Sequence, residues 1–492
     1  MMIIPNWNWI FRRFICNNLM NKSYGNSILI RSLSKQSNSS NNENENDDSL
    51  LLKEIAKQIR FTGPLTVNDY MRLALTHPKY GFYMRQDVFG EKGHFITSPE
   101  ISQIFGELIA IWIMYQWQKY SNGRQLDIIE LGPGRGTLST DIARSMEQFT
   151  QTRPSLNDCH LHLIEISPFL QSIQQQNLCN HIPNNNDNDN LNEMKSTKRT
   201  KYGQSIHWYP SIDQFRSINE HNENRFPIFI ANEFFDAFPI HKFIKNSQQQ
   251  KWNELLIDHD ERGNQLRWIQ SRNDTPMTKL LSLNGHFDRI DSPKINHFEY
   301  SPMIFITIDK IIDYIERQQQ PQNDCISGCI LICDYGFDSD HQIDRDTFRA
   351  YYQHKQLDPL LKPGMADLTA DVDFAAIRHY VSERNVKKKN VNIKCFGAIE
   401  QRQFLSQMGI GFRLKQLLQQ QQQQSFSHQD NNNTATTVQR QKELISSARI
   451  LMDEMEMGIR FKFMAIFING QQMDGDDDEK PVGFWSMDKS NE

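Results

Sequence analysis

An α/β fold built on a mostly parallel, Rossmann-like sheet is what this sequence predicts, and three observations carry that expectation. A short apolar run, Leu126-Asp127-Ile128-Ile129, leads into Glu130-Leu131-Gly132-Pro133-Gly134-Arg135-Gly136. That turn leads into a helical period from Thr137 to Phe149, with Leu138, Ile142, Met146 and Phe149 on one stripe. Further apolar runs, His160 to Ile164, Phe226 to Ala231 and Gly328 to Cys333, each end at polar or acidic residues. Strands buried on both faces read as such runs, and open sheets of this kind bind ligands at the carboxyl ends of their strands.

The glycine turn is the centre of the chain. Glycine is required where backbone takes φ > 0 or must approach a ligand closely. The helix start beyond it offers unpaired N–H groups to a polar ligand. Its spacing is G-x-G-x-G, not the G-x-G-x-x-G of a dinucleotide fingerprint. Glu130 stands two residues before the first glycine. A carboxylate there is a poor neighbour for a pyrophosphate and a good one for a ligand carrying an ammonium and a sulfonium. The expected ligand is S-adenosyl-L-methionine, held around Glu130, Gly132, Gly134 and Gly136; a tight turn with no ligand is the plain alternative. Glu165, closing the second strand, is placed to bond ribose hydroxyls across the crevice, or is a solvated surface acid.

In chain order, residues 1–35 read as a mitochondrial transit peptide. Residues 1 to 42 hold no Asp or Glu, but Arg12, Arg13, Lys22, Arg31 and Lys35 are interleaved with Trp7, Trp9, Phe11 and Phe14. Residues 36–50, rich in Asn, Ser, Glu and Asp, read as a disordered linker. Residues 51–125 read as an N-terminal helical lid. Thr66 is a cap for the helix through Tyr70 and Leu75, and Ser98 with Pro99 and Glu100 starts another. Residues 126–337 read as the core, with an Asn/Asp-rich disordered insertion at about 183–200. Within it, Trp252 to Asp258 and Gln265 to Gln270 read as a hairpin. Residues 338–415 read as a substrate-side insertion. The Gln- and Asn-rich stretch 416–437 reads as flexible. Residues 438–470 complete the core with a helix and a strand, and 471–492 form an acidic tail.

Composition excludes several classes. The 492 residues carry a formal net charge of −5, which does not suit nucleic-acid binding. No stretch approaches about 20 consecutive apolar residues, so no membrane span is expected. The seven cysteines form no disulfide framework. Cys325, Cys329 and Cys333 lie in one apolar run, where a strand would spread them over about 25 Å. No metal is expected there.

Two acidic groups remain as site candidates. Asn232, Glu233 and Asp236 lie just beyond the strand ending at Ala231, at the ligand edge. Asp367, Asp371 and Asp373 fall within seven residues. Asp373 has a structural role as a cap for the helix from Phe374, which leaves Asp367 and Asp371 as a candidate cation-binding rim or a solvated acidic loop.

Long runs of this sequence resemble the MidA-like mitochondrial methyltransferases, the arginine methyltransferase family linked to assembly of respiratory complex I. They are Tyr80-Gly81-Phe82-Tyr83, Phe95 through Glu107, Glu130 through Gly136, Asn232 through Asp236, Asp334-Tyr335-Gly336, and Ala366 through Phe374. They span roughly residues 60 to 470. His94 departs from the family, which favours Asp before the Phe-Ile-Thr-Ser-Pro run. The resemblance implies a class I methyltransferase fold, S-adenosylmethionine as donor, a matrix location, and symmetric dimethylation of an arginine in a core complex I subunit. Guanidinium is always protonated and donates in a rigid fork, so such an enzyme needs carboxylates to hold it. Glu233 and Asp236 are the expected catalytic pair, Glu165 and Asn232 join the donor site, and Asp367 and Asp371 the substrate site. A small-molecule methyltransferase and a non-enzymatic assembly chaperone that keeps the donor as a stabiliser are the rival classes.

Overall fold

The computed structural model describes residues 41–85, 96–180, 198–220, 224–246, 251–262, 264–290, 295–318, 326–339, 344–387, 392–427, 431–469 and 480–485. The expected transit peptide, His94 and Cys325 lie outside them. The core is a nine-stranded sheet. Its strands are β1 Gln125–Leu131, β2 His160–Ile164, β3 Lys198–Arg199, β4 Ser205–Tyr209 and β5 Arg225–Asn232. They continue with β6 Ile326–Phe337, β7 Val372–Asp373, β8 Asn392–Glu400 and β9 Phe461–Asn469. The order is β8-β9-β6-β5-β1-β2-β4-β3, with β7 beside the end of β6. The central pairs are parallel, and β9 runs antiparallel between β6 and β8.

Both faces of this sheet are covered, as the unbroken apolar strands require. Helices Gln103–Tyr120 and Thr137–Thr150 pack Phe105, Trp112, Leu138 and Ile142 on one face, against Ile128, Phe226 and Phe463. Helices Ile212–Asn219, Pro302–Arg317 and Phe374–Lys387 pack Phe215, Ile308, Ile312 and Phe374 on the other. The helix Gln103–Tyr120 is therefore a wall of the core rather than part of a lid over 51–125. Its start also differs from expectation. Thr97, not Ser98, caps the short helix Ser98–Ile101, and a new helix begins after Ser102, whose hydroxyl accepts from the Ile104 amide.

A second, mostly antiparallel body sits over the site. Leu65–Thr66, His241–Asn246, Lys251–Asp260, Gln265–Gln270 and His297–Tyr300 form a five-stranded sheet, which includes the expected hairpin. Arg349–Tyr352, Lys355–Leu357 and Asp367–Thr369 form a three-stranded sheet. Helices Asn41–Thr62 and Val67–Thr76 share one apolar cluster with them, built on Leu51, Tyr70, Met71, Ile257, Phe348 and Leu368. The stretch 126–337 is thus not one continuous core, because residues 241–300 leave it to build the second body. Residues 338–415 are not one insertion either, because β8 within them joins the main sheet.

Three low-complexity assignments change as well. The helix Asn41–Thr62 begins inside the expected linker, and no Pro or Gly interrupts it before Gly63. Residues 198–200 belong to the sheet edge, through β3 and the bridge between Cys179 and Thr200. The Gln-rich stretch is helical from Ile410 to Ser427. Glutamine is a good helix former, and Leu417 and Arg413 anchor the helix in the core. Within the acidic tail, Val482 and Phe484 are buried and the Trp112 indole donates to the Val482 carbonyl at 3.1 Å.

Arg413 meets Glu107 through two hydrogen bonds, 2.7 and 3.1 Å, and both side chains are buried. Glu107 also accepts from Arg144 at 3.2 Å. Removing one member of a buried pair strands the other charge, at a cost of about 3–5 kcal/mol. Arg413→Ala should therefore lower stability toward the smaller end of that range, since Arg144 remains. The double variant Glu107→Leu/Arg413→Met should recover most of the loss in chemical denaturation.

Candidate active site at the carboxyl edge of the sheet

The glycine loop leaves β1 as expected. Gly132, Gly134 and Gly136 have φ of +61°, +54° and +77°. The Gly132 amide donates to the Ile164 carbonyl at 3.0 Å, which holds the loop beside β2. A Cβ on Gly132 would lie 2.6 Å from the Phe234 ring, so backbone and neighbour both exclude a side chain there. Gly136 caps the helix Thr137–Thr150 in the left-handed region. Glu130 is buried beneath the loop and accepts from the Ser139 hydroxyl. Burial, reinforced by the Glu165 charge, pushes its carboxyl up to about 7.

Glu165 follows β2 and is also buried, not solvated. Its carboxylate accepts from the Ser167 amide at 2.8 Å and from Gln174 Nε2 at 3.1 Å. Burial raises it to about 7.

The Asn232-to-Asp236 turn follows β5. Asp334, on β6 just past its last pair with β5, is fully buried, and its Oδ2 accepts from the amides of Phe234, Phe235 and Asp236 at 3.1, 2.8 and 3.3 Å. Burial and the Asp236 charge raise Asp334 well above the usual range, against those amides, which favour the anion. Glu233 takes φ +49°, a conformation that costs energy outside glycine and clusters at functional sites. Its Oε1 accepts from the Ser98 amide at 2.7 Å, and burial pushes it up to about 8. Asn232 Oδ1 is buried with no hydrogen-bond partner.

The third acidic group comes from the second body. Asp367 is buried and accepts from Tyr83 Oη at 2.6 Å; burial raises it to about 7. Asp371 is half-buried and paired with Arg349 at 2.6 Å. Asp371 is not an open rim, because the strand carrying Arg349 turns its guanidinium onto it. Asp373 accepts from the Ala376 amide at 2.8 Å, as a cap should. The Asp236 charge acts on Glu233, Asp367, Asp334 and Tyr83, and the Glu165 charge on Glu130 and Tyr83. One carboxylate-rich site therefore joins the glycine loop, the 232–236 turn and Asp367. Burial raises the thiols of Cys329 and Cys333, as inert core cysteines should behave.

Sequence reasoning missed four residues that build this site. Tyr83 sat in an aromatic run with no partner visible in sequence. Asp334 was placed at the ligand edge but serves the backbone. Arg349 and Gln174 carried no signal, since both act on residues distant in the chain.

A family model for S-adenosyl-L-methionine-dependent methyltransferases matches residues 108–392. Among curated proteins, the chain is 37% identical over 420 residues to the mitochondrial protein arginine methyltransferase NDUFAF7 of Xenopus tropicalis, covering 85% of each. It is 35% identical over 436 residues to that of Homo sapiens, covering 88% of this chain and 86% of the relative. A solved structure from Burkholderia thailandensis bound to S-adenosyl-homocysteine shares the fold, with a TM-score of 0.63 and 18% identity over 90% of this chain and 96% of that one.

The raised carboxyls set a pH dependence. Glu130, Glu165 and Asp367 are held up to about 7 and Glu233 up to about 8, whereas the unfolded chain releases these protons near about 4. Between those limits the folded chain binds more protons than the unfolded one, so its stability falls as pH rises. The expected outcome is a ligand-free melting temperature that declines from about pH 4 to about pH 8, less steeply in Glu233→Gln. Thermal scans across that range check it.

Proposed function

This chain belongs to the family of S-adenosyl-L-methionine-dependent methyltransferases, and from that premise we propose that it methylates an arginine side chain of a protein. The finer reading is symmetric dimethylation of an arginine in a core subunit of mitochondrial complex I, in the matrix, as a step in assembly of that complex. Supporting it are the names of the relatives, mitochondrial protein arginine methyltransferases, the motif resemblance, and the acid-free basic start of the chain. No described helix is long and apolar enough to cross a membrane.

The residues present fit the donor. Three glycines in the left-handed region bring backbone close to the ligand space. The buried, unpartnered Asn232 Oδ1 calls for a hydrogen-bond donor. Glu165 suits the ribose hydroxyls, and Glu130 sets the sign of the field under the loop. When bound, the donor supplies an electrophilic methyl on a sulfonium.

The observation that carries the reading is the convergence of Glu233, Asp236 and Asp367 beside that loop. Burial raises all three, and the Arg349 charge, which acts on Asp236 and Asp367, offsets it only in part. A guanidinium entering there lets them ionise and holds its fork between them. As the new nitrogen–carbon bond forms and the sulfur–carbon bond breaks, the attacking nitrogen sheds one proton. Glu233, the most basic of the three, is the acceptor this reading assigns. Holding the reactants in line contributes up to about 7–11 kcal/mol of the barrier. Asp371, already paired with Arg349, helps shape the substrate side.

The direct test is labelled methyl transfer to complex I subunits by the purified chain lacking residues 1–35, with mass spectrometry of the methylarginine formed. Glu233→Gln and Asp236→Asn should each cut transfer by about a hundredfold or more, as loss of a transition-state contact does; normal turnover in both would refute the pair. Gly134→Val, at φ +54°, should abolish donor binding in calorimetry.

A further inference from the structure

We propose that Gln174 is the positioning residue of the donor site, a single amide that sets the distance between the glycine loop and the Glu165 carboxylate. This rests on the reading of Glu165 as a donor-binding group. Gln174 lies on the helix Pro168–Leu178, one turn short of its end, and is fully buried. Its Nε2 donates to the Gly134 carbonyl at 2.8 Å and to Glu165 Oε2 at 3.1 Å. Its Oε1 accepts from the Trp208 indole on β4 at 2.9 Å.

The chemistry leaves this amide one orientation. Indole nitrogen only donates, so the oxygen must face Trp208. The nitrogen must then face a carbonyl and a carboxylate, which only accept. Its two protons serve two acceptors, one on the loop after β1 and one beyond β2. The Gln174 Cγ also stands 3.4 Å from where a Cβ on Gly136 would be, so the side chain braces the third glycine as well. Nothing in this arrangement requires Gln174 to touch the donor. Glu165 faces the Ile166 and Ser167 amides, Gln174, the Glu130 carboxyl and Tyr83. Of these, Gln174 is the side chain that donates to its outer oxygen. Without it, the carboxylate loses a donor that favours its charged form, and the loop loses its bond at Gly134, keeping those of Gly132 to Ile164 and of Asn177 to the Arg135 carbonyl.

Gln174→Met keeps the length and removes both donors. Calorimetry with S-adenosylmethionine and the full chain should show affinity reduced by about tenfold to a hundredfold, the usual scale for a hydrogen bond to a charged group. The pH below which donor binding fades should also move upward, because Glu165 then protonates more readily; a merely structural role would not move it. Trp208→Phe, which removes only the indole N–H, should shift both readouts in the same direction by a smaller factor. Wild-type affinity in folded Gln174→Met, or weaker affinity with an unmoved pH midpoint, overturns the proposal. If Gln174→Met does not fold, Trp208→Phe decides it: unchanged affinity and midpoint overturn it. Glu165→Gln separates the two readings. Wild-type donor affinity in that variant sinks the Glu165 assignment itself, whereas a weakened Glu165→Gln beside a normal Gln174→Met sinks only the positioning role.

Discussion

A buried carboxylate accepting consecutive backbone amides fixes the geometry on which the site depends. Asp334 holds the amides of Phe234, Phe235 and Asp236 on one oxygen, and the Tyr335 amide donates to the other at 2.9 Å. Those amides have no ladder partner once β5 ends, so a side chain must satisfy them. The clamp forces the chain into a tight turn, and the turn places Glu233, Phe234 and Asp236 together. Phe234 then closes on Gly132, while Glu233 reaches the Ser98 amide. Three separate segments of the sequence are thereby located relative to one oxygen atom.

The fold was largely legible because its demands on the backbone appear directly in residue type. A turn at φ > 0 selects glycine, and a strand buried on both faces selects unbroken Ile, Phe and Leu. The second body was legible only in part. Its hairpin follows from local alternation, but the pairing of Leu65–Thr66 with Leu256 and Ile257 joins residues far apart in sequence. Composition misled over 416–427, where low complexity suggested flexibility and a tertiary anchor at Arg413 overrode it. Charge misled at Asp371. Three acids in seven residues read as a rim until a guanidinium on another strand supplied the counter-charge.

The site itself was legible at the level of which strand ends carry acids, and not at the level of what each acid does. Glu130, Glu165, Glu233, Asp236 and Asp334 lie at the carboxyl edge of the main sheet, and Asp367 comes from the second body. Hydrogen bonding sorts them. Asp334 is committed to backbone amides, Glu130 to Ser139, and Asp367 to Tyr83. Glu165 and Glu233 each accept a backbone amide. That sorting depends on donors contributed from elsewhere in the chain, which spacing alone does not reveal.

The Gln-rich helix carries one more consequence. Its last buried residue, among those described, is Leu417, and the run Gln419 to Gln424 lies beyond it. Each added or lost glutamine changes the length of that helix by about 1.5 Å and rotates the residues past it by about 100°. An added or lost glutamine therefore alters the stretch beyond Leu417 and leaves the Arg413 anchor in place. The length of the glutamine run is thus a dimension separate from the carboxylate edge that the strands position.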